Sequence, residues 1–316
     1  VGISNAKFKD PDFRALVTFY VFSAILVVFF FAFGLLFSRG THITVADYWR
    51  WFVVHIWVES IFEFFGTAVI AVLMVAMGLV SATAALRVAY FTAALVFLSG
   101  ILGTAHHYFW YGGSSMWLAI GAVFSSMEPV PLFGLVVRGL LEYKSIRAEG
   151  RDFPYRWPMY FLVASSFWNF LGAGVFGFLI NLPIVNYFEH GTYLTVNHGH
   201  GALFGVYGML SISLLLFSWR GLVRREHWND RLLAVSFWGL NVGLLVMTLT
   251  MGTVGTAIGL SSDLSTGVID RLRTLPMFPT AILIGRSVSD LLAAVLGGFV
   301  VLATGRMVWK EPHPSL

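Results

Sequence analysis

The sequence predicts an all-α membrane protein, a polytopic helix bundle. Three observations carry this reading. The composition is 58% hydrophobic and 11% charged, against roughly 25% charged in a soluble domain. The mean hydropathy is +0.79. The few charges gather in short clusters between apolar runs long enough to cross a bilayer, roughly 20 residues each. In lipid the backbone must satisfy its own hydrogen bonds, so such runs are helices.

Eight apolar stretches follow in order. The first, 15–38, comes after Lys7, Lys9 and Arg14. The second, 50–80, opens beside Trp49 and Trp51 and carries His55, Glu59 and Glu63. The third, 86–110, ends at His106, His107, Tyr108 and Trp110. The fourth, 115–142, carries Glu128 before Pro129 and Pro131, and Lys144, Arg147, Arg151 and Arg156 follow it. The fifth, 157–181, carries Gly172, Gly174 and Gly177. The sixth, 195–218, opens with His198 and His200, carries Gly201, Gly205 and Gly208, and is followed by Arg220, Arg224 and Arg225. The seventh is 231–256. The eighth, 278–304, carries Asp290 and precedes Arg306 and Lys310. The recurrent glycines suit close helix packing. All the basic clusters fall on one face, which the positive-inside rule makes cytoplasmic, and the opposite loops carry interfacial aromatics. The net charge of +4 is thereby explained, and no nucleic-acid partner is required.

With no cysteine, thiolate-held clusters, thiolate-ligated haem and covalent haem at a C-x-x-C-H site are excluded. No linker, repeat or separate soluble domain is visible, so residues 1–316 read as one transmembrane catalytic domain. The chain begins at Val1 with no signal-peptide pattern, and Lys7-Phe8-Lys9-Asp10-Pro11-Asp12 reads as a loop between helices. The expectation is the C-terminal portion of a longer polypeptide lacking its N-terminal helices.

Ionisable groups inside a bilayer are costly and usually functional. The orientation puts His55, His106, His107, His198 and His200 at one depth, in the outer part of the membrane. His106 and His107 differ by about 100° and converge near a helix end. With His55 they make a three-imidazole site suited to iron, copper or zinc. Glu59, four residues after His55, shares its helix face, and a carboxylate among imidazoles favours iron over copper. Glu63 lies one turn deeper, as an outer partner or proton relay, or simply a satisfied carboxyl. His198 and His200 point about 200° apart. They can hold two cofactors flanking one helix, two haems being the natural reading, with Gly199 and Gly201 leaving room for a planar ligand. Pro129 and Pro131 free the carbonyls of Ser125 and Met127, and an acid at that kink, Glu128, is a credible proton donor or a neutral buried acid.

Several stretches carry a resemblance: Trp51-Phe-Val-Val-His55-Ile-Trp-Val-Glu59, Gly103-Thr-Ala-His106-His107-Tyr-Phe-Trp110, Phe124-Ser-Ser-Met-Glu128-Pro129, Phe167-Trp-Asn-Phe-Leu-Gly-Ala-Gly174, and His190-Gly-Thr with His198-Gly-His200. Together they resemble the haem–copper oxidase superfamily and, within it, the nitric oxide reductases. Many oxygen-reducing relatives carry tyrosine where this chain has Glu59, and nitric oxide reductases are similar to it there. The resemblance implies that the eight spans match the last eight of a twelve-helix core. It implies His55, His106, His107 and Glu59 as ligands of non-haem iron. It makes His198 the proximal ligand of a high-spin haem b, His200 an axial ligand of a low-spin haem b, and Glu128 a proton-delivery or electrostatic group. The second axial histidine of the low-spin haem is expected from the missing helices. Arg286-Ser-Val-Ser-Asp290, and more weakly Ser236-Phe237-Trp238-Gly239-Leu240-Asn241, are similar to the quinol-fed branch, where Asp290 would help bind quinol. Cytochrome c is the alternative donor.

The implied activity is reduction of two nitric oxide molecules to nitrous oxide and water, in a prokaryotic cytoplasmic (inner) membrane, as in denitrification. The rivals are an oxygen reductase or nitric oxide dismutase of the same superfamily, a proton-coupled transporter, and an inactive fragment.

Overall fold

The structure, a computed structural model, describes residues 7–109, 114–183, 185–186, 193–224 and 227–265, with side chains to Met251 apart from Tyr193 and Leu194. Asp290, Arg286, His190, Trp110 and the eighth stretch lie outside the described residues. Within them, seven helices are long and apolar enough to cross a membrane: α1 Pro11–Leu36, α2 Ile43–Ala76, α3 Ala82–His107, α4 Ser115–Ala148, α5 Arg156–Asn181, α6 Thr195–Arg220 and α7 Asp230–Met251. They correspond one to one with the first seven predicted stretches, and no strand occurs among the described residues.

Local chemistry sets the helix ends. Asp10 caps α1, accepting from the Asp12 N–H at 2.9 Å, with Pro11 in the first turn. Ser81 caps α3 through the Ala84 N–H. Helices α2 and α4 both end on glycines with positive φ, Gly78 at 79° and Gly150 at 70°. Their terminal carbonyls are closed by paired bonds, Leu79 N–H to Met74 O with Gly78 N–H to Val75 O, and Arg151 N–H to Ile146 O with Gly150 N–H to Arg147 O. Only glycine takes that left-handed corner without penalty.

The helices contact in two compact units. The first comprises residues 1–190 and 198–238, the second 191–197 and 239–316. In the first unit a hydrophobic core joins Phe13 and Leu16 of α1, Val69–Val75 of α2, Ala85 and Ala89 of α3, Leu132–Ile146 of α4, Met159 and Leu162 of α5 and Leu210 of α6. Helix α2 is the most enclosed: 72% of its apolar window is buried, against 11% for α1. Exposed Ile25, Val28, Phe29 and Leu35 on α1 form a face whose natural solvent is hydrocarbon. In the described part of the second unit, Asn197 Nδ2 donates to Thr248 O at 3.2 Å and Thr248 Oγ1 to Leu244 O at 2.8 Å.

Three spans widen into π-helix: Val54–Ile61 in α2, Asn169–Phe176 in α5 and Leu203–Gly208 in α6. Such segments are rare and concentrate at functional sites. Helix α3 instead tightens at its end into a 3₁₀ turn, Thr104–His107.

Candidate metal centre

The π segment of α2 and the 3₁₀ turn of α3 bring four predicted residues to one point. His55 and Glu59 come from the first, His106 and His107 from the second. One ligand atom from each lies within 4.8 Å of the others. Glu59 is the hub. Its Oε2 is 2.9 Å from His55 Nδ1 and 3.1 Å from His106 Nε2, and its Oε1 is 3.0 Å from His107 Nε2. His107 Nε2 has no hydrogen-bond partner among the described residues. Rings pack edge to face, with centroids 5.0 Å apart for His55–His106 and 4.2 Å for His106–His107. On the far side, Trp51 stacks on His107 at 5.0 Å and 13°, and the Arg50 guanidinium lies over Trp51.

Two glycines make the convergence possible. A Cβ on Gly103 would stand 2.8 Å from His55 Nε2, and one on Gly121 would stand 2.7 Å from the backbone nitrogen of His106. The first clears the space for an imidazole. The second lets α4 pack against the turn that holds His106.

The four side chains fit a metal ion. Neighbouring ligands of one first-row ion, each bonded at about 2.1 Å, lie about 3 Å apart, and that is the spacing around Glu59. No Lys or Arg pairs with Glu59 among the described residues. His55 and His106 are buried, and each leaves a ring nitrogen without a hydrogen-bond partner, His55 Nε2 and His106 Nδ1. Glu59 itself is half-buried; a carboxylate withdrawn from water is costly unless a positive charge compensates it, and a bound cation would do so.

Glu128 sits beside this cluster. Ser99 Oγ of α3 and Ser60 Oγ of α2 donate to its Oε1, the latter at 3.4 Å, and the carboxyl is buried. Ser60 directly follows Glu59 in sequence, so Glu128 is joined to the metal-type cluster through one hydroxyl-bearing residue. The predicted kink is present: the helix breaks between Ser126 and Val130. The carbonyls expected to be free are not. Ser125 O accepts from Glu128 N–H and Met127 O from Val130 N–H, both at 3.2 Å, because tight i→i+3 turns satisfy them locally.

Glu63 is not one of the clustered residues. Its Oε1 accepts from Asn169 Nδ2 of the α5 π segment at 2.9 Å, and from Thr67 at 3.5 Å. His198 Nδ1–H donates to Gly172 O in the same π segment, at 2.6 Å. That bond fixes the tautomer and leaves Nε2 as the acceptor nitrogen. Gly177 gives the His198 ring its room, since a Cβ there would stand 3.1 Å from Cε1. His200 is exposed while His198 is half-buried, so the two rings meet different surroundings, as their spacing predicts. Gly199 has open space about it. Gly201 does not: a Cβ on the facing Gly172 would stand 2.6 Å from the Gly201 carbonyl carbon. Gly201 therefore serves a helix crossing rather than leaving space for a planar ligand.

Sequence reasoning missed Ser60, Ser99, Asn169 and the two clearing glycines. Ser60 and Asn169 had a signal, as polar residues inside apolar spans. Which acid each would meet on another helix had none.

The fold and site define a polytopic membrane protein whose helices enclose a partly buried three-imidazole, one-carboxylate centre. Residues 12–288 match the model of the family described as cytochrome c and quinol oxidase polypeptide I, and the chain belongs to that family. Among curated proteins it is similar to a nitric oxide reductase subunit from Stutzerimonas stutzeri, 33% identical over 212 residues. That match covers 66% of this chain and 44% of the relative, so the chain spans less than half the length of the protein it resembles.

Proposed function

We propose that the protein is the catalytic part of a nitric oxide reductase, joining two nitric oxide molecules into nitrous oxide and water with two electrons and two protons. The observation that carries this reading is Glu59 at the centre of the three histidines. A hard carboxylate among imidazoles suits iron better than copper. The similarity to a known nitric oxide reductase supports the same conclusion.

In this reading His55, His106, His107 and Glu59 hold the non-haem iron. His198 holds the high-spin haem b, its basicity raised by the Nδ1–H bond to Gly172 O. His200 would hold the low-spin haem b. When bound there, the metals would supply electrons and Lewis acidity where two substrates are held together, in place of a bimolecular encounter.

The chain's own residues do the rest. Glu59 places negative charge against the iron site. Glu128 holds a proton on a carboxyl oxygen oriented by Ser99 and Ser60, and the Ser60 hydroxyl is the first group able to relay it towards the cluster. Glu63, with Asn169 and Thr67, is a second proton-holding site. An apolar recess of about 440 Å³, lined in part by Phe30, Ile56, Ser60, Phe97, Gly100 and Ile101, offers a small apolar gas a way in from the lipid side. The electron donor in this reading is quinol, with Asp290 contributing to its site, and the location is a prokaryotic cytoplasmic membrane.

The test is nitric oxide consumption by full-length protein supplied with reduced quinol or, separately, reduced cytochrome c. Consumption with quinol supports the whole reading, and consumption with cytochrome c alone moves the donor. A haem-containing preparation that consumes none with either donor overturns it. Oxygen reduction with copper at the non-haem site would make the protein an oxygen reductase.

A further inference from the structure

The first unit holds a second cavity, a polar one, at its arginine-rich end. It measures about 170 Å³, and Arg147, Arg156 and Arg220 converge on it from three helices. Arg147 lies in the last turn of α4, Arg156 opens α5 and Arg220 closes α6.

The positive charge there is incompletely spent. The Arg147 side chain makes no hydrogen bond or ion pair among the described residues. Arg220 donates Nε–H to Pro154 O at 2.9 Å and lies over the Trp228 ring at 5.2 Å, with no carboxylate. Arg156 lies over Trp157 at 5.0 Å and stands 4.0 Å from Asp230 Oδ1, an oxygen that the Trp157 indole N–H already occupies at 2.5 Å. Among the described residues, Asp152 and Asp230 are the only carboxylates lining the cavity. Three guanidiniums against two carboxylates leave a net positive cavity.

Two of the guanidiniums lie over tryptophan rings, Arg156 over Trp157 and Arg220 over Trp228. Arginines gathered in this way suit a tetrahedral phosphate, which arginine meets with paired N–H donors. A lipid source is favoured by the surface beside the cavity. On α6, Leu214, Leu215 and Trp219 are exposed up to Arg220, and Leu222 follows it, 82% exposed. Acyl chains can lie along that strip while the phosphate enters the cavity, and tryptophan belongs at such a boundary.

We propose that this cavity binds the phosphate of an anionic phospholipid headgroup, with Arg147 as the principal donor. Native mass spectrometry of the full-length holoenzyme, stripped of loosely held lipid in detergent, tests it. The probes are phosphatidylglycerol, diacylglycerol and inorganic phosphate. The expected result is one retained phosphatidylglycerol, no retained diacylglycerol, and affinity weaker by about tenfold or more in both Arg147→Gln and Arg156→Gln, as loss of a charged hydrogen bond implies. Unaltered haem absorbance in each variant checks the fold. Equal retention of diacylglycerol, or undiminished lipid binding by both variants, overturns the site. Displacement of the lipid by millimolar inorganic phosphate overturns the lipid source.

Discussion

Glu59 touches three histidines, and its replacement has the sharpest consequence. Glu59→Gln keeps the side chain's size but removes the charge. We expect the non-haem iron to be lost while haem absorbance persists, with nitric oxide turnover falling by at least about 100-fold, the upper range for losing even an outer partner of a metal ligand. Metal analysis beside an activity assay checks this, and full iron content in the variant would remove Glu59 from the ligand set. Gly103→Ala reaches the same site from behind. Its Cβ would stand 2.8 Å from His55 Nε2, so the ring must move, and we expect iron loss without loss of haem. Ser99→Ala acts differently: Glu128 loses its nearer hydrogen-bond donor while the four cluster residues are untouched. Turnover should fall about tenfold at unchanged iron content, the scale of one lost hydrogen bond to the carboxyl and below the roughly 100-fold or more that losing the proton donor itself would cost. An unaltered rate would exclude Ser99 from the proton route.

The π-helix segments are decisive at the scale of the element. One carries His55 and Glu59, another Asn169 and Gly172, and the third Val206, whose carbonyl accepts from Ser165 Oγ at 3.0 Å. An ordinary α-helix would present these side chains and carbonyls in another register. The α5–α6 crossing is equally specific. Gly172→Ala would drive a Cβ to 2.6 Å from backbone, and overpacking of that kind costs about 1–3 kcal/mol. Its effect should extend to His198, whose Nδ1–H is held by the Gly172 carbonyl. Gly199→Ala meets nothing within 4 Å and should be neutral, or stabilising by up to about 1 kcal/mol from helix propensity. Thermal unfolding of the two variants in one detergent compares them directly, and equal melting temperatures would refute the crossing argument.

For the whole molecule, family membership covers residues 12–288. The number of cofactors is the quantity that follows from the proposed roles of His198, His200 and the metal cluster. Full-length protein should show two b-type haems by pyridine haemochrome and one iron beyond them by elemental analysis. Copper in place of the extra iron would contradict the argument from Glu59. The surface supports the membrane setting: α1 and α6 expose long apolar side chains, which only lipid or partner helices would cover.

The sequence by itself determined the seven described helices, the membrane, and the three histidines and one acid that converge. Apolar runs of spanning length admit one backbone solution in lipid, and ionisable residues within them stand out against that background. The α-helical spacing of His55 and Glu59 was enough to pair them, although the segment is π-helical. The tertiary structure alone decided which acid serves which partner. Glu63 lies on the same span as Glu59, yet hydrogen-bonds to Asn169, 106 residues away. Glu128 accepts from hydroxyls on two other helices, one of them Ser60, the residue after Glu59. Cross-helix contacts depend on helix rotation and on close approach at Gly103, Gly121, Gly172 and Gly201. Those are properties of packing, which no local pattern of residues encodes.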